Sequence, residues 1–156
     1  MIIEKILGSI MDRDMRAVDQ EYVDYVPIDW YQVRQKVLHK VSRKGAEVGI
    51  RNPTGAPLRQ GDILWQDAKQ MLVVEILPCE CLALHANSVL EMGKACYEIG
   101  NRHAPLFFED GELLTPYDQP LMTVLCRCGF SPVKKIAILK NPLGGHESGH
   151  SHSHEA

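Results

Sequence analysis

The hydrophobic pattern of the chain changes near residue 77. Before that point, short apolar segments, some alternating with polar residues and rich in β-branched side chains, lie between clusters of Gly, Pro, Asn and Asp. Such segments predict strands, and the short turns between them predict hairpins. The predicted strands cover residues 35–41, 46–51, 63–66 and 70–76. Residues 1–76 are therefore predicted to form an all-β domain, which is more typical of a docking unit than of an active site.

After Pro78 the pattern mixes strand and helix periods. The predicted elements are, in order, a strand at 79–85, a helix at 88–99, hairpin strands at 106–109 and 112–115, a helix at 117–128 and a strand at 132–139. This β-α-β-β-α-β order is that of the ferredoxin-like arrangement. Residues 77–142 are therefore predicted to form a ferredoxin-like domain, and the fold class of the whole chain is predicted to be α+β.

Local signals refine the two predicted helices. Asp118 is the expected N-cap of the second helix, with Pro120 in its first turn. Gly100, followed by Pro105, is expected to stop the first helix. Spacings of three and four residues predict the buried stripe of that helix, which consists of Val89, Met92, Cys96 and Ile99.

Residues 143–156 follow no apolar period. They consist largely of Gly, Ser, His and Glu, which cannot bury a core, so this tail is predicted to be disordered without a ligand. Its histidines are His146, His150, His152 and His154. A purification tag would normally be an uninterrupted run of histidines, whereas these are interspersed with other residues. The tail is therefore interpreted as a native metal-capturing segment.

Composition excludes several classes of protein. The chain has 156 residues, 45% of them hydrophobic, and a formal net charge of −3, so it is globular and lacks the basic surface of a nucleic-acid-binding protein. No segment is long and apolar enough for a signal peptide or a membrane span. Five cysteines, an odd number, are more typical of a reducing compartment than of a disulfide framework, so the cytoplasm is the predicted location.

A family resemblance centres on residues 100–106. A lone histidine is usually a structural or surface residue, but here it belongs to a longer motif. The motif is Gly100-Asn101-Arg102-His103-Ala104-Pro105-Leu106, and further similarities lie at 47–50, 58–64, 73–75 and 109–113. Together these resemble the signature and surrounding sequence of the UreE family, the urease accessory metallochaperones. The similarity covers most of the chain.

The resemblance implies that His103 binds nickel at the interface of a homodimer. It also implies transfer of Ni²⁺ through an accessory GTPase to the urease apoprotein complex, with metal-loaded dimers able to pair further. The chemistry of the residues is compatible, because imidazole suits Ni, Zn and Cu, so Zn²⁺ or Cu²⁺ could bind the same site. A two-fold axis can bring two copies of His103 together, and tail histidines could complete the coordination. Imidazole must be neutral to bind, so metal capture is expected to weaken towards pH 5.

The residues also allow other interpretations of the function. Neither a phosphate-binding loop, a nucleophile elbow nor a His-Glu-x-x-His motif is present, so an enzyme is not predicted. A metal buffer without a client is the main alternative. The pairs Cys79/Cys81 and Cys126/Cys128 suggest a zinc protein, but structural zinc sites normally space their cysteines more widely. All five cysteines are interpreted mainly as packing residues.

Overall fold

A computed structural model describes residues 1–14 and 19–144 of the chain. The chain forms two compact units. Among the described residues, the first unit comprises 1–14, 19–79 and 136–140, and the second comprises 80–135 and 141–144. Strands dominate both units, and the described residues contain two α-helices, in agreement with the predicted α+β class.

Two three-stranded sheets form the first unit. Their strands are β1 (Ile2–Ile3), β2 (Val23–Ile28), β3 (Val37–Val41), β4 (Glu47–Arg51), β5 (Ile63–Gln66) and β6 (Met71–Ile76). One sheet has the order β1-β4-β3 and the other β2-β6-β5. The predicted hairpins β3–β4 and β5–β6 are confirmed as antiparallel pairs. The sequence did not reveal β1 and β2, which pair in parallel with β4 and β6.

Burial explains why the first unit holds together. Branched aliphatic residues on β2, β4 and β6 are almost fully buried, including Val26, Val48 and Val74. Asp24 is also buried on β2, and its carboxylate accepts a hydrogen bond from the backbone N–H of Lys44 at 3.0 Å. This bond fastens the β3–β4 turn to the neighbouring strand. Only Oδ1 is paired in this way, and Oδ2 is buried without a hydrogen-bond partner among the described residues.

The remaining elements follow in the predicted order, and most of their residues belong to the second unit. They are β7 (Cys79–His85), α1 (Val89–Asn101), β8 (Phe107–Glu109), β9 (Glu112–Pro116), α2 (Gln119–Arg127) and β10 (Val133–Ala137). Their sheet has the order β10-β7-β9-β8. Asp110 and Gly111 connect β8 to β9 with positive φ angles of 49° and 81°, the torsions that a tight two-residue hairpin turn requires.

Side-chain caps fix the starts of both helices. The Ser88 hydroxyl accepts a hydrogen bond from the N–H of Glu91 at 3.1 Å, and the predicted Asp118 cap accepts one from Leu121 at 2.8 Å. The predicted stripe of α1 is wrong at its first position, because Val89 is 91% exposed. Val89 lies at the very start of the helix. Met92, about one turn later, packs against the core, and Ala95, nearly two turns after Val89, is fully buried.

Candidate metal centre

His103 lies in the cap that ends α1. The helix runs through Asn101, and the N–H of His103 donates to the carbonyl of Gly100 at 2.9 Å. The next N–H, that of Ala104, donates to the carbonyl of Ile99 at 3.4 Å. These two bonds form a Schellman motif, in which the residue after the cap adopts the left-handed conformation. His103 takes that conformation, with φ +54°.

The predicted helix stop at Gly100 is therefore wrong. Gly100 lies within the helix, and the chain reverses three residues later because His103 and Ala104 make the terminal hydrogen bonds. Glycine usually occupies the left-handed position, and a residue with a Cβ costs about 1–2 kcal/mol there. Strained backbone of this kind is concentrated at binding and catalytic sites. The His103 side chain is exposed to solvent, where it is available to a ligand.

The beginning of the tail is held near His103. The N–H of Phe108 donates to the carbonyl of Asn141 at 3.0 Å, and the N–H of Leu143 donates to the carbonyl of Leu106 at 2.7 Å. Between these bonds Pro142 faces Phe107 in an antiparallel bridge. Leu106 is only three residues from His103. We call residues 141–143 the strap.

The structure brings together no complete ligand set within one described chain. Across residues 1–14 and 19–144, no group of three or more His, Cys, Asp or Glu side chains is placed to hold a metal ion. The predicted tail ligands, listed above at positions 146, 150, 152 and 154, lie outside the described residues. A metal ion bound by His103 would therefore have to take its other ligands from outside the described residues of this chain.

The cysteines fall into two groups. Cys81 is buried and Cys79 is half-buried, whereas Cys126 and Cys128 are exposed, so the packing interpretation is wrong for the last two. These two side chains leave the helix about 200° apart, because α2 continues through Arg127 and Cys128 caps it. Two thiols on different sides of a helix do not chelate one ion. Both thiols are instead accessible to reagents in solution.

One face of α1 leads to His103 and was missed in the sequence. Leu90 and Tyr97 are each 67% exposed, and they lie seven residues apart on the side opposite the buried stripe. Gly93 and Gly100 lie on the same side, and a Cβ at either would meet nothing within 4 Å. The spacing 90, 93, 97 and 100 was visible in the sequence as a second helical period. We call these four residues the outer face of α1; two large side chains alternate there with two small ones.

Comparison with known families accounts for the whole chain. Residues 3–77 match the N-terminal domain of the UreE urease accessory protein, and residues 79–156 match its C-terminal domain. The chain belongs to the UreE family. The match to both domains, in order, confirms the resemblance noted at residues 100–106.

Individual relatives support this assignment over nearly full length. The urease accessory protein UreE of Acetivibrio thermocellus is 52% identical over 154 residues, which cover 99% of each chain. That of Flavobacterium johnsoniae is 34% identical, over 98% of this chain and 92% of the relative. That of Helicobacter pylori strain Shi470 is 38% identical over 133 residues, covering 83% of this chain and 76% of the relative.

Membership of the UreE family gives the chain a role in urease maturation. The family consists of accessory, chaperone-type proteins associated with nickel, and its name denotes no catalytic activity. Within the described residues, neither α1 nor α2 is long and apolar enough to cross a membrane.

Proposed function

We propose that this member of the UreE family is a homodimeric metallochaperone that carries Ni²⁺ on His103. The observation that carries the proposal is the conformation of His103, an exposed imidazole held in a left-handed helix cap within the family signature. The ion is cargo, so it must be released as well as bound. A site made from few ligands, contributed by separate segments, suits reversible binding better than a closed cage of four.

The outer face of α1 supports the dimer. One imidazole binds a transition metal weakly, and a two-fold axis supplies a second imidazole from the same residue of the partner copy. Leu90 and Tyr97 offer apolar surface to a partner copy, and the bare backbone at Gly93 and Gly100 allows a close approach of the two helices. The face ends at Gly100, three residues before His103, so pairing about a two-fold axis near the C-terminal end of α1 would bring the two imidazoles together. Metal-loaded dimers could then pair into tetramers.

Tail histidines would collect ions and supply additional ligands. The strap supports this role, because it ties the beginning of the tail to Leu106, close to His103. Zn²⁺ or Cu²⁺ could occupy the same imidazoles, since the chemistry of the ligand does not distinguish them from Ni²⁺. Capture should weaken towards pH 5, where free imidazole is protonated.

The remaining features of the proposal concern organisation and partners. A domain of residues 77–142 in the ferredoxin-like arrangement is supported by the strand order β10-β7-β9-β8 and by two intervening helices. The all-β domain of residues 1–76 would contact partners, and residues 143–156 would form the flexible tail. In the cytoplasm, the dimer would pass Ni²⁺ to an accessory GTPase bound to the urease apoprotein.

A nickel or zinc buffer without a client is the second candidate, and the histidine-rich tail favours it. Such a buffer needs no contact with a GTPase. Binding of the purified chain to the partner GTPase, with nickel-dependent activation of urease, would support the chaperone. A chain that binds metal but neither contacts the GTPase nor activates urease would be a buffer.

The direct test is calorimetric titration with Ni²⁺, accompanied by light scattering. We expect the intact chain to be a dimer that binds about one ion per dimer tightly, because a site on the two-fold axis is shared by both copies. His103→Ala should lose that site. His85→Ala is the matched control, because His85 is an exposed histidine at the end of β7, and it should titrate like the parent. If His103→Ala also titrates like the parent, the assignment of the central ligand is wrong.

A further inference from the structure

The sheet β1-β4-β3 has one face open to solvent, and that face is largely apolar. In the sheet register Ile2 lies beside Gly49, and Gly49 lies beside His39, so the three residues share one face. Residues two apart on a strand also share a face, which adds Val37 and Val41 of β3. We call these five residues the open sheet face. Ile2 is 74% exposed, Val37 71% and Val41 52%.

The opposite face of the same sheet is the buried one. It contributes Ile3, Leu38, Val48 and Ile50 to the core of the first unit. A sheet that buries one face normally presents polar side chains on the other. Exposed apolar side chains grouped at the outward positions of one small sheet are instead typical of a surface that binds another protein.

Gly49 lies in the middle of the open sheet face. A Cβ added there would meet the carbonyl oxygen of Met1 at 3.6 Å and the side chain of Ile2 at 3.9 Å, which are ordinary contacts. Packing within the chain therefore does not require glycine at this position. The bare backbone leaves room for atoms of a partner, and for the neighbouring His39 imidazole, when another surface covers the face.

The two ends of the face carry opposite charges. Glu47 is in register with Val41 at one end, and Arg51 is in register with Val37 at the other. Both charged side chains are exposed, and four residues of strand separate them by about 13 Å. A two-fold axis that lies in the plane of the face and perpendicular to β4 exchanges the ends. Glu47 of one copy would then face Arg51 of the second copy, and the same pair would occur twice.

We propose that the open sheet face binds a second copy of this chain through a two-fold interface. The inference goes beyond the proposed function, because neither His103 nor a metal ion takes part. Combined with pairing along the outer face of α1, a second two-fold interface would join dimers into tetramers or longer assemblies. The face is small for a specific interface, so this pairing sets in only at protein concentrations above those of the nickel titrations.

Arg51 remains available for this contact although it already has a partner. Its Nη1 lies 3.2 Å from Oε1 of Glu4, and the two side chains are 67% and 61% exposed. An ion pair as exposed as this contributes little to stability. The guanidinium group also has several N–H donors, so it can bind a second carboxylate while it keeps the first.

The test measures the mass of the metal-free full chain by sedimentation equilibrium, with a chelator present. The concentration is raised to about 1 mM, which covers the weak dissociation constants expected of a small interface. The average mass should rise with concentration and fall again on dilution. Val41→Lys should weaken the association roughly tenfold or more, because it places an ammonium group against Val37 of the second copy. Lys69→Glu is the matched control, because Lys69 is exposed in the β5–β6 turn of the other sheet, and it should associate like the parent.

Charge reversal tests the two-fold arrangement itself. Glu47→Arg and Arg51→Glu should each abolish association, because like charges would then meet at both ends of the face. An equimolar mixture of these two variants should associate like the parent, because both pairs of facing charges are again opposite in sign. A loss of folding cannot produce such a rescue. Urea unfolding of each variant alone checks that these exposed substitutions leave the fold intact.

Three results would overturn the inference. The first is a parent whose mass stays constant up to about 1 mM. The second is a pair of charge variants that associate like the parent, or whose mixture fails to associate, because the face would then not pair with itself. The third is an association that requires Ni²⁺ and is lost in His103→Ala. Such an association would belong to the metal site, so the chaperone proposal would stand without the sheet interface.

Discussion

Replacing His103 with glycine should stabilise the metal-free protein while abolishing its tight metal site. His103 has φ +54°, a conformation in which a Cβ lies too close to the following carbonyl oxygen. Glycine has no Cβ and is the usual residue at this position of a Schellman motif. The His103 side chain is exposed, so its removal leaves no cavity in the core.

The expected magnitude follows from two opposing terms. Relief of the left-handed strain contributes about 1–2 kcal/mol. The greater backbone freedom of glycine in the unfolded chain costs about 0.5–1 kcal/mol. The free energy of unfolding should therefore rise by up to about 1.5 kcal/mol, with a midpoint of about 0.75 kcal/mol. For a chain of 156 residues the midpoint corresponds to an increase in Tm of about 1.5–3 °C.

The assay compares His103→Gly with His103→Ala. Both variants lack the imidazole, but alanine keeps the Cβ and therefore the strain. Urea and thermal unfolding should be measured at one protein concentration with a chelator present, because bound metal and dimerisation both shift apparent stability. Glycine should be more stable than alanine. If the two variants have the same urea midpoint and the same Tm, the left-handed cap does not carry the proposed strain. The argument that His103 is kept in this conformation for binding would then be wrong.

Three further predictions concern other parts of the chain. Tyr97→Lys should give monomers, as measured by light scattering, and should lack the tight nickel site, because a charge would replace exposed apolar surface in the proposed interface. A variant that stays dimeric would exclude the outer face of α1 as the dimer interface. Burial raises the pKa of Asp62 above its ordinary 3.8, so the stability from this group is full below about pH 3.8 and is lost as the pH rises through the raised value. When the pH rises from 3.5 to 7, Asp62→Asn should therefore lose less free energy of unfolding than the parent, as measured by urea unfolding. Equal changes with pH in the two proteins would contradict this. Thiol reagents should modify Cys126 and Cys128 before the buried Cys81, and mass spectrometry with nickel titration should find metal binding unchanged; loss of the tight site would instead support a cysteine-based centre.

Hairpins and caps were predictable because their causes are local. The β8–β9 hairpin follows from Asp110 and Gly111, whose types tolerate the positive φ angles of a tight turn. The Asp118 cap follows from a side chain that bonds a backbone group three residues away. The family signature around His103 was likewise present in the sequence, since a motif is a property of consecutive residues.

Tertiary structure decided what depends on distant partners. The parallel pairing of β2 with β6 joins segments almost fifty residues apart, and neither segment specifies the other by its own pattern. Val89 matched the helical period but is exposed, because burial depends on what packs against a position. The sequence by itself determined both helices, most of the strands, the family and the identity of the candidate ligand. Only the folded chain decided that His103, not Gly100, reverses the backbone, and that the strap pairs with Leu106 and Phe108. Both depend on hydrogen bonds that form only once the chain has folded.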